Sequence, residues 1–239
     1  MKPTIVLVHG AYAESASWNA VIEPLQADGY RVIAPPNELR SLAGDAAALT
    51  DLIRSIEGPV VLAAHSYGGA VITNVDAAAG DIQALVYVAG FALEPGESAG
   101  DASALVPGST LADTLQRVPL AAGGADTYIA QERFHQQFAA DLPEATSALL
   151  AVTQRPITEA ALFEPSGPSS LWKTVPSWFI FGELDHNIPV GAHRIMAERA
   201  GSKRTVEIAG SSHVVGISHP IETAGLILEA ARSHAPAPV

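Results

Sequence analysis

Residues 60–74, VVLAAHSYGGAVITN, carry a continuous apolar run straight into a serine flanked by small residues. Strand-forming residues at 59–65 followed at once by a helical pattern from about Tyr67 place Ser66 on a sharp strand-to-helix turn. Such a turn puts strained backbone on the serine and brings its flanks together, so the positions two before and two after must be small. They are Ala64 and Gly68, with Gly69 next, so the pattern is A-x-S-x-G, with Ala at the first small position of G-x-S-x-G. Taken alone, residues 64–68 fit equally well a serine that merely caps a helix after a buried strand.

The surroundings of this stretch are of one kind. Segments 4–9, 31–34, 59–65, 83–90, 177–182 and 204–210 are near-continuous apolar runs of strand length. Continuous rather than alternating hydrophobicity indicates strands covered on both faces, as in a parallel sheet between helices. Helices are expected at about 17–28, 42–57, 68–79, 189–200 and 219–233; the first carries Trp18, Val21, Ile22 and Leu25 at helical spacing and ends at Gly29, suited to a C-terminal cap. The alternation predicts an α/β fold with a mainly parallel sheet of about six strands flanked by helices. From Phe91 to Thr174 the rhythm breaks: LEPGESAG (93–100), a Gly/Ala-rich patch at 121–125 and helical pieces at 127–142 and 143–154 replace strand-like runs. The expected organisation is a core of 1–90 and 175–239, with 91–174 as a helical cap inserted before the penultimate strand. The tail SHAPAPV (233–239) is expected to fray.

Composition narrows the classes of function. The 239 residues are 48% hydrophobic, enough for one sizeable core, and the 13 Lys+Arg against 25 Asp+Glu leave a formal charge of −12. That balance argues against nucleic acid or an anionic membrane as partner. With no cysteine, disulfides, thiolate catalysis and Cys-ligated metal centres are excluded. The eight histidines include no His-x-x-x-His pair, and the one Glu-x-x-His on a helical stretch, at 132–135, offers too few ligands, so no metal is expected. MKPTIVLVHG reads as neither a signal peptide nor a membrane span, and the expectation is a cytoplasmic protein, with a homodimer left open.

Two further motifs stand in the chain order that a serine nucleophile needs, Ser then acid then His. Strand 177–182 runs into FGELDHNIP, placing Asp185 in the loop at its carboxyl end. Strand 204–210 runs into AGSSHVVG, placing His213, 28 residues later, in the next such loop. Glu183 is an alternative acid, nearer the strand end. After the first strand, His9-Gly10-Ala11 lets the chain turn back, so that the Ala11 N–H can serve with the Tyr67 N–H as an oxyanion hole. His9 reads as a strand-end residue that ties the loop, His65 as pointing away from the reacting side chain, His186 as a loop residue and His219 as the start of the last helix. Tyr12, Phe91, Tyr128, Phe134, Phe138 and Trp172 are candidate substrate contacts, suited to a hydrophobic acyl or aryl group.

The stretches VLVHGAYAESASWNAV (6–21), AHSYGGAVI (64–72), FGELDHNIP (181–189) and AGSSHVVGISHP (209–220) together resemble the α/β-hydrolase superfamily, within it the group of esterases and hydroxynitrile lyases related to plant methyl-ester esterases. The likeness covers roughly 4–90 and 175–233. It implies Ser66 as nucleophile, Asp185 as acid, His213 as base and the N–H groups of Ala11 and Tyr67 as oxyanion donors, hence a serine hydrolase of small carboxylic esters that needs no cofactor. Lyases of the group commonly have Thr in place of the first-motif Gly and Lys directly after the catalytic His; Gly10 and Val214 depart from both and favour hydrolysis. A lyase, or a small-molecule receptor that keeps the triad for binding, is the alternative of the same fold. Relatives that use an Asp nucleophile are set aside by Ser66.

Overall fold

In a computed structural model that describes residues 1–233, the apolar runs pair as strands and the amphipathic segments between them coil. The expected fraying of the tail beyond Ser233 lies outside the described residues. The first half comprises β1 (Thr4–Val8), α1 (Asn19–Ala27), β2 (Val32–Ile33), α2 (Leu42–Arg54), β3 (Pro59–His65), α3 (Tyr67–Thr73) and β4 (Asp81–Val88). An inserted region follows, with α4 (Ala99–Ser103), β5 (Leu115–Pro119), β6 (Ala125–Ile129), α5 (Gln131–Phe138), α6 (Glu144–Thr153), β7 (Ile157–Thr158) and α7 (Glu159–Phe163). The chain then returns through β8 (Ser177–Gly182), α8 (Val190–Arg199), β9 (Thr205–Ile208), α9 (Val215–Ser218) and α10 (Pro220–Arg232).

Six strands form one sheet in the order β2-β1-β3-β4-β8-β9. Every pairing in it is parallel, so all their carboxyl ends open on one edge. The chain steps from β1 outward to β2 and then back across β1 to β3, which makes the gap between the carboxyl ends of β1 and β3 the topological switch point where α/β sheets take their ligands. β1 and β8 are buried along their whole length and β3 and β4 along most of it, which explains their unbroken hydrophobicity. Each large aliphatic residue so buried contributes about 1.5–3 kcal/mol. Among the described residues no helix is long and apolar enough to cross a membrane.

The inserted region departs from the expectation of a helical cap. β5, β6 and β7 form a separate antiparallel sheet in that order. Residues 127–129, expected within a helix over 127–142, belong to β6, and only Gln131–Phe138 coils. The Gly/Ala-rich patch is the hairpin turn, with Gly123 and Gly124 at φ +94° and +78°, a backbone that only glycine adopts without strain. The strands were hidden because β5 is almost wholly exposed and β6 alternates in burial. Inter-strand hydrogen bonds rather than an apolar run define them.

Two glycines give this account a test. A methyl group on Gly69 would meet the backbone of the loop after β4, 2.5 Å from Phe91 N and 2.8 Å from its O, whereas one on Gly225, in α10, would meet nothing within 4 Å. Gly69→Ala should lose about 1–3 kcal/mol of stability through overpacking, and Gly225→Ala should gain about 0.5–1 kcal/mol by stiffening the unfolded chain. Urea-denaturation midpoints of the two variants should therefore move in opposite directions.

Candidate active site

Ser66 sits between β3 and α3 at φ +53°, ψ −124°, a conformation that costs a non-glycine residue about 1–3 kcal/mol and persists only where its surroundings enforce it. Here they do. Ser66 N–H donates to Val88 O (3.3 Å), and Ser66 O accepts from Gly69 N–H (2.8 Å) and Phe91 N–H (3.2 Å). Side chains are excluded where the end of β1 and its loop meet this turn: a Cβ on Gly10 would stand 2.6 Å from Ser66 Cβ, and one on Gly68 of α3 2.6 Å from Val8 O. The phenol of Tyr67 donates to Asp45 Oδ2 (2.9 Å) and pins the first turn of α3 to α2. Burial raises both the Tyr67 phenol and the Asp45 carboxyl above their ordinary values.

Asp185 follows β8 and His213 follows β9. Glycine at 182 lets their loops touch, since a Cβ there would run into the carbonyls of Ser211 and Ser212. His213 Nδ1–H donates to Asp185 Oδ2 at 2.7 Å, with both side chains fully buried. The other oxygen, Oδ1, accepts from the N–H groups of Asn187 (2.8 Å) and Ile188 (2.9 Å). Burial opposes the charge of Asp185, but the attraction of His213 and the hydrogen bonds from His193 and His213 outweigh it and hold the carboxyl well below the usual range. With the Nδ1 proton directed at a carboxylate, His213 Nε2 is the bare nitrogen. It is buried and has no hydrogen-bond partner among the described residues.

The histidine before the serine joins the two halves. His65 Nε2–H donates to the His213 carbonyl at 3.1 Å, and the two rings lie 4.8 Å apart. Its ring thus bridges the Ser66 turn and the His213 loop. His9 is a loop tie, contacting Gly10 O through Nδ1 (2.9 Å) and accepting from Asn37 N–H at Nε2 (2.8 Å). Glu183 is exposed and accepts from Gly210 N–H (3.0 Å), so the carboxylate paired with His213 is that of Asp185. His186 is exposed in its loop and His219 stands at the start of α10.

Ser66, Ala11, Tyr12, Tyr67 and Phe91 line one cavity of about 320 Å³. Of the other aromatic candidates, Phe138 packs edge-on against His213 (5.0 Å) and Tyr12 (6.3 Å). Neither it nor the remaining three line the cavity. Phe134 is fully buried against Phe138, Trp172 donates its Nε1–H to Leu93 O (2.9 Å), and Tyr128 lies in the cap sheet. The cavity wall is supplied instead by small and aliphatic cap residues such as Ala99, Leu111, Leu115 and Leu162. The sequence reading, which weighed aromatic residues, had no signal for them. It also missed His193, whose Nε2 lies 3.0 Å from Asp185 Oδ2.

Residues 5–226 match the Alpha/beta hydrolase family. The carbendazim hydrolyzing esterase of Nocardioides sp. (strain SG-4G) is 36% identical over 106 residues, a match spanning 39% of this chain and 44% of that protein. Among solved structures, polyneuridine aldehyde esterase superposes with a TM-score of 0.78 at 19% identity, over 96% of this chain and 99% of the other. A pyrethroid hydrolase from Sphingobium faniae JZ-2 does so with a TM-score of 0.76 at 21% identity, over 98% of each chain. At these identities the structural likeness is one of fold.

Burial, the largest influence on each, lowers His9 to about 4 and His65 to about 3. Between those values and the ordinary 6.5 the unfolded chain binds protons that the folded chain does not, so stability must fall as pH falls through that window. The urea midpoint should drop between pH 7 and pH 4.5. His65→Gln, which keeps an N–H for the His213 carbonyl, should remove about 2 kcal/mol of that drop, and an unchanged slope would mean that His65 protonates freely in the folded chain.

Proposed function

The chain belongs to the alpha/beta hydrolase family, and from that premise we propose that it is a carboxylic-ester hydrolase that works through a serine ester. The observation that carries the reading is a buried imidazole with one nitrogen on an ionised carboxylate and the other bare, held by His65 against a strained serine turn. In this reading Ser66 Oγ attacks the ester carbonyl while His213 Nε2 takes its proton. Asp185 keeps the Nδ1–H tautomer and stabilises the imidazolium that forms. His213 then gives the proton to the departing alkoxide as the C–O bond breaks, leaving the acyl group on Ser66. Water, deprotonated by the same nitrogen, attacks the acyl-enzyme and releases the acid.

The N–H groups of Ala11 and Tyr67 are the proposed oxyanion donors. Tyr67 opens α3, where N–H groups lack intrahelical acceptors, and Ala11 lines the same cavity from the facing loop. Each such donor is worth about 3–4 kcal/mol at the tetrahedral stage. The cavity lining of Phe91, Leu111, Leu115, Leu162 and Ile188 favours an ester with a hydrophobic acyl or aryl group. The likeness to the carbendazim hydrolyzing esterase supports hydrolysis. So does buried Val214 beside His213, which puts no ammonium where a lyase of the group would have one.

The test is turnover of p-nitrophenyl esters of increasing acyl length, with a fluorophosphonate probe read by mass spectrometry. The parent should turn over repeatedly and carry the probe on Ser66. Ser66→Ala should fold normally and lose about 10³-fold or more in kcat/KM. A single turnover by the parent would indicate a receptor-like site, and near-parental rates in the variant would remove Ser66 from the mechanism.

A further inference from the structure

Asp185 Oδ2 receives two imidazoles. His213 Nδ1 lies 2.7 Å from it and His193 Nε2 3.0 Å, and all three side chains are fully buried. His193 comes from α8, the helix that follows the Asp185 loop, and its ring stacks on Phe181 of β8 with centroids 4.7 Å apart and planes 10° from parallel. Its second nitrogen, Nδ1, is buried without a partner among the described residues. That vacancy settles the tautomer. A proton on Nδ1 would be a buried, unsatisfied donor, whereas a bare lone pair there is the less costly state, so Nε2 carries the hydrogen and donates it to Asp185. Burial accordingly lowers His193 below the ordinary imidazole value despite the carboxylate beside it.

We propose that His193 is a positioning residue for the hydrolysis described above: its Nε2–H locks the Asp185 oxygen that faces His213 and competes with His213 for the lone pairs of that oxygen. The proposal rests on the reading of Ser66, His213 and Asp185 as nucleophile, base and acid. A carboxylate oxygen that already accepts one strong hydrogen bond attracts a neighbouring cation less. His193 therefore restrains the stabilisation of the His213 imidazolium. The geometric lock acts in parallel. With Oδ1 held by two backbone N–H groups and Oδ2 by His193, the carboxylate plane cannot turn away from His213.

The other charged and titratable groups around the cluster are engaged elsewhere. Glu207 of β9 is paired with Arg194, Asp141 of the cap accepts from the hydroxyls of Ser211 and Ser212, and Glu183 accepts from Gly210 N–H. His65 is neutral and bound to the His213 carbonyl. His193 is thus the group on Asp185 whose removal isolates the effect.

The experiment compares the parent with His193→Leu, which removes the donor, and His193→Gln, whose side-chain amide can restore an N–H near the position of Nε2. NMR titration of the His213 imidazole should show its pKa raised in His193→Leu by about 0.5–1 unit and returned towards the parental value in His193→Gln. The acid limb of kcat/KM should move by the same amount, with kcat down about 10-fold and KM within about 2-fold. A folded His193→Leu protein whose His213 titrates as in the parent, or at lower pH, would overturn the proposal. Should that variant not fold, nitrogen-15 shifts of the parent decide. They should report His193 as the neutral Nε2–H tautomer from pH 8 to pH 5, and an Nδ1–H tautomer or proton uptake in that range would overturn the proposal. Lack of ester turnover by the parent would overturn the hydrolase reading instead, because the NMR arms need no substrate.

Discussion

The arrangement depends on one strained residue. Ser66 can hold a positive φ only while the backbone around it is clamped, by Val88 and Phe91 on one side and by the first turn of α3 on the other. That clamp requires backbone segments to approach more closely than side chains permit, which is why Gly10, Gly68 and Gly69 converge on it. The parallel sheet supplies the rigidity. β3 is hydrogen-bonded on both sides, to β1 and β4, so the loops that leave these three strands meet at fixed positions around the serine.

A second constraint is the cost of burying a carboxylate. Asp185 has no exposed side-chain surface, and an ion there is tolerable only if its lone pairs are filled. Two backbone N–H groups from its own loop and two imidazoles fill them. The result is an oriented His213 with its proton on the nitrogen that faces Asp185 and the other nitrogen buried and bare. The same desolvation that makes the charge expensive makes its hold on His213 strong.

The cap sits over this edge through polar ties next to the site. Tyr12 meets Thr127 at 2.9 Å, Gln137 donates to Asn187 Oδ1 at 2.7 Å, and Asp141 accepts from Ser211 at 2.9 Å. Each tie joins a cap element to the loop after β1, β8 or β9. The cap therefore shapes the cavity and also braces the loops that carry Ala11, Asp185 and His213.

Much of this was legible in one dimension. Unbroken apolar runs mean doubly covered strands, small residues on both sides of a serine after such a run mean a tight turn, and residues just past successive strands lie on one edge when the strands are parallel. These inferences use only spacing along the chain, and they suffice for the sheet, for the turn at Ser66 and for the meeting of Asp185 with His213. The cap sheet, the aliphatic wall of the cavity, the displacement of Tyr128, Phe134, Phe138 and Trp172 from it, and the contact of His193 with Asp185 were decided by tertiary structure alone. Exposed strands such as β5 leave no hydrophobic pattern, and whether a buried ring meets a cavity, a carboxylate or another ring depends on how helices and loops distant in sequence are oriented.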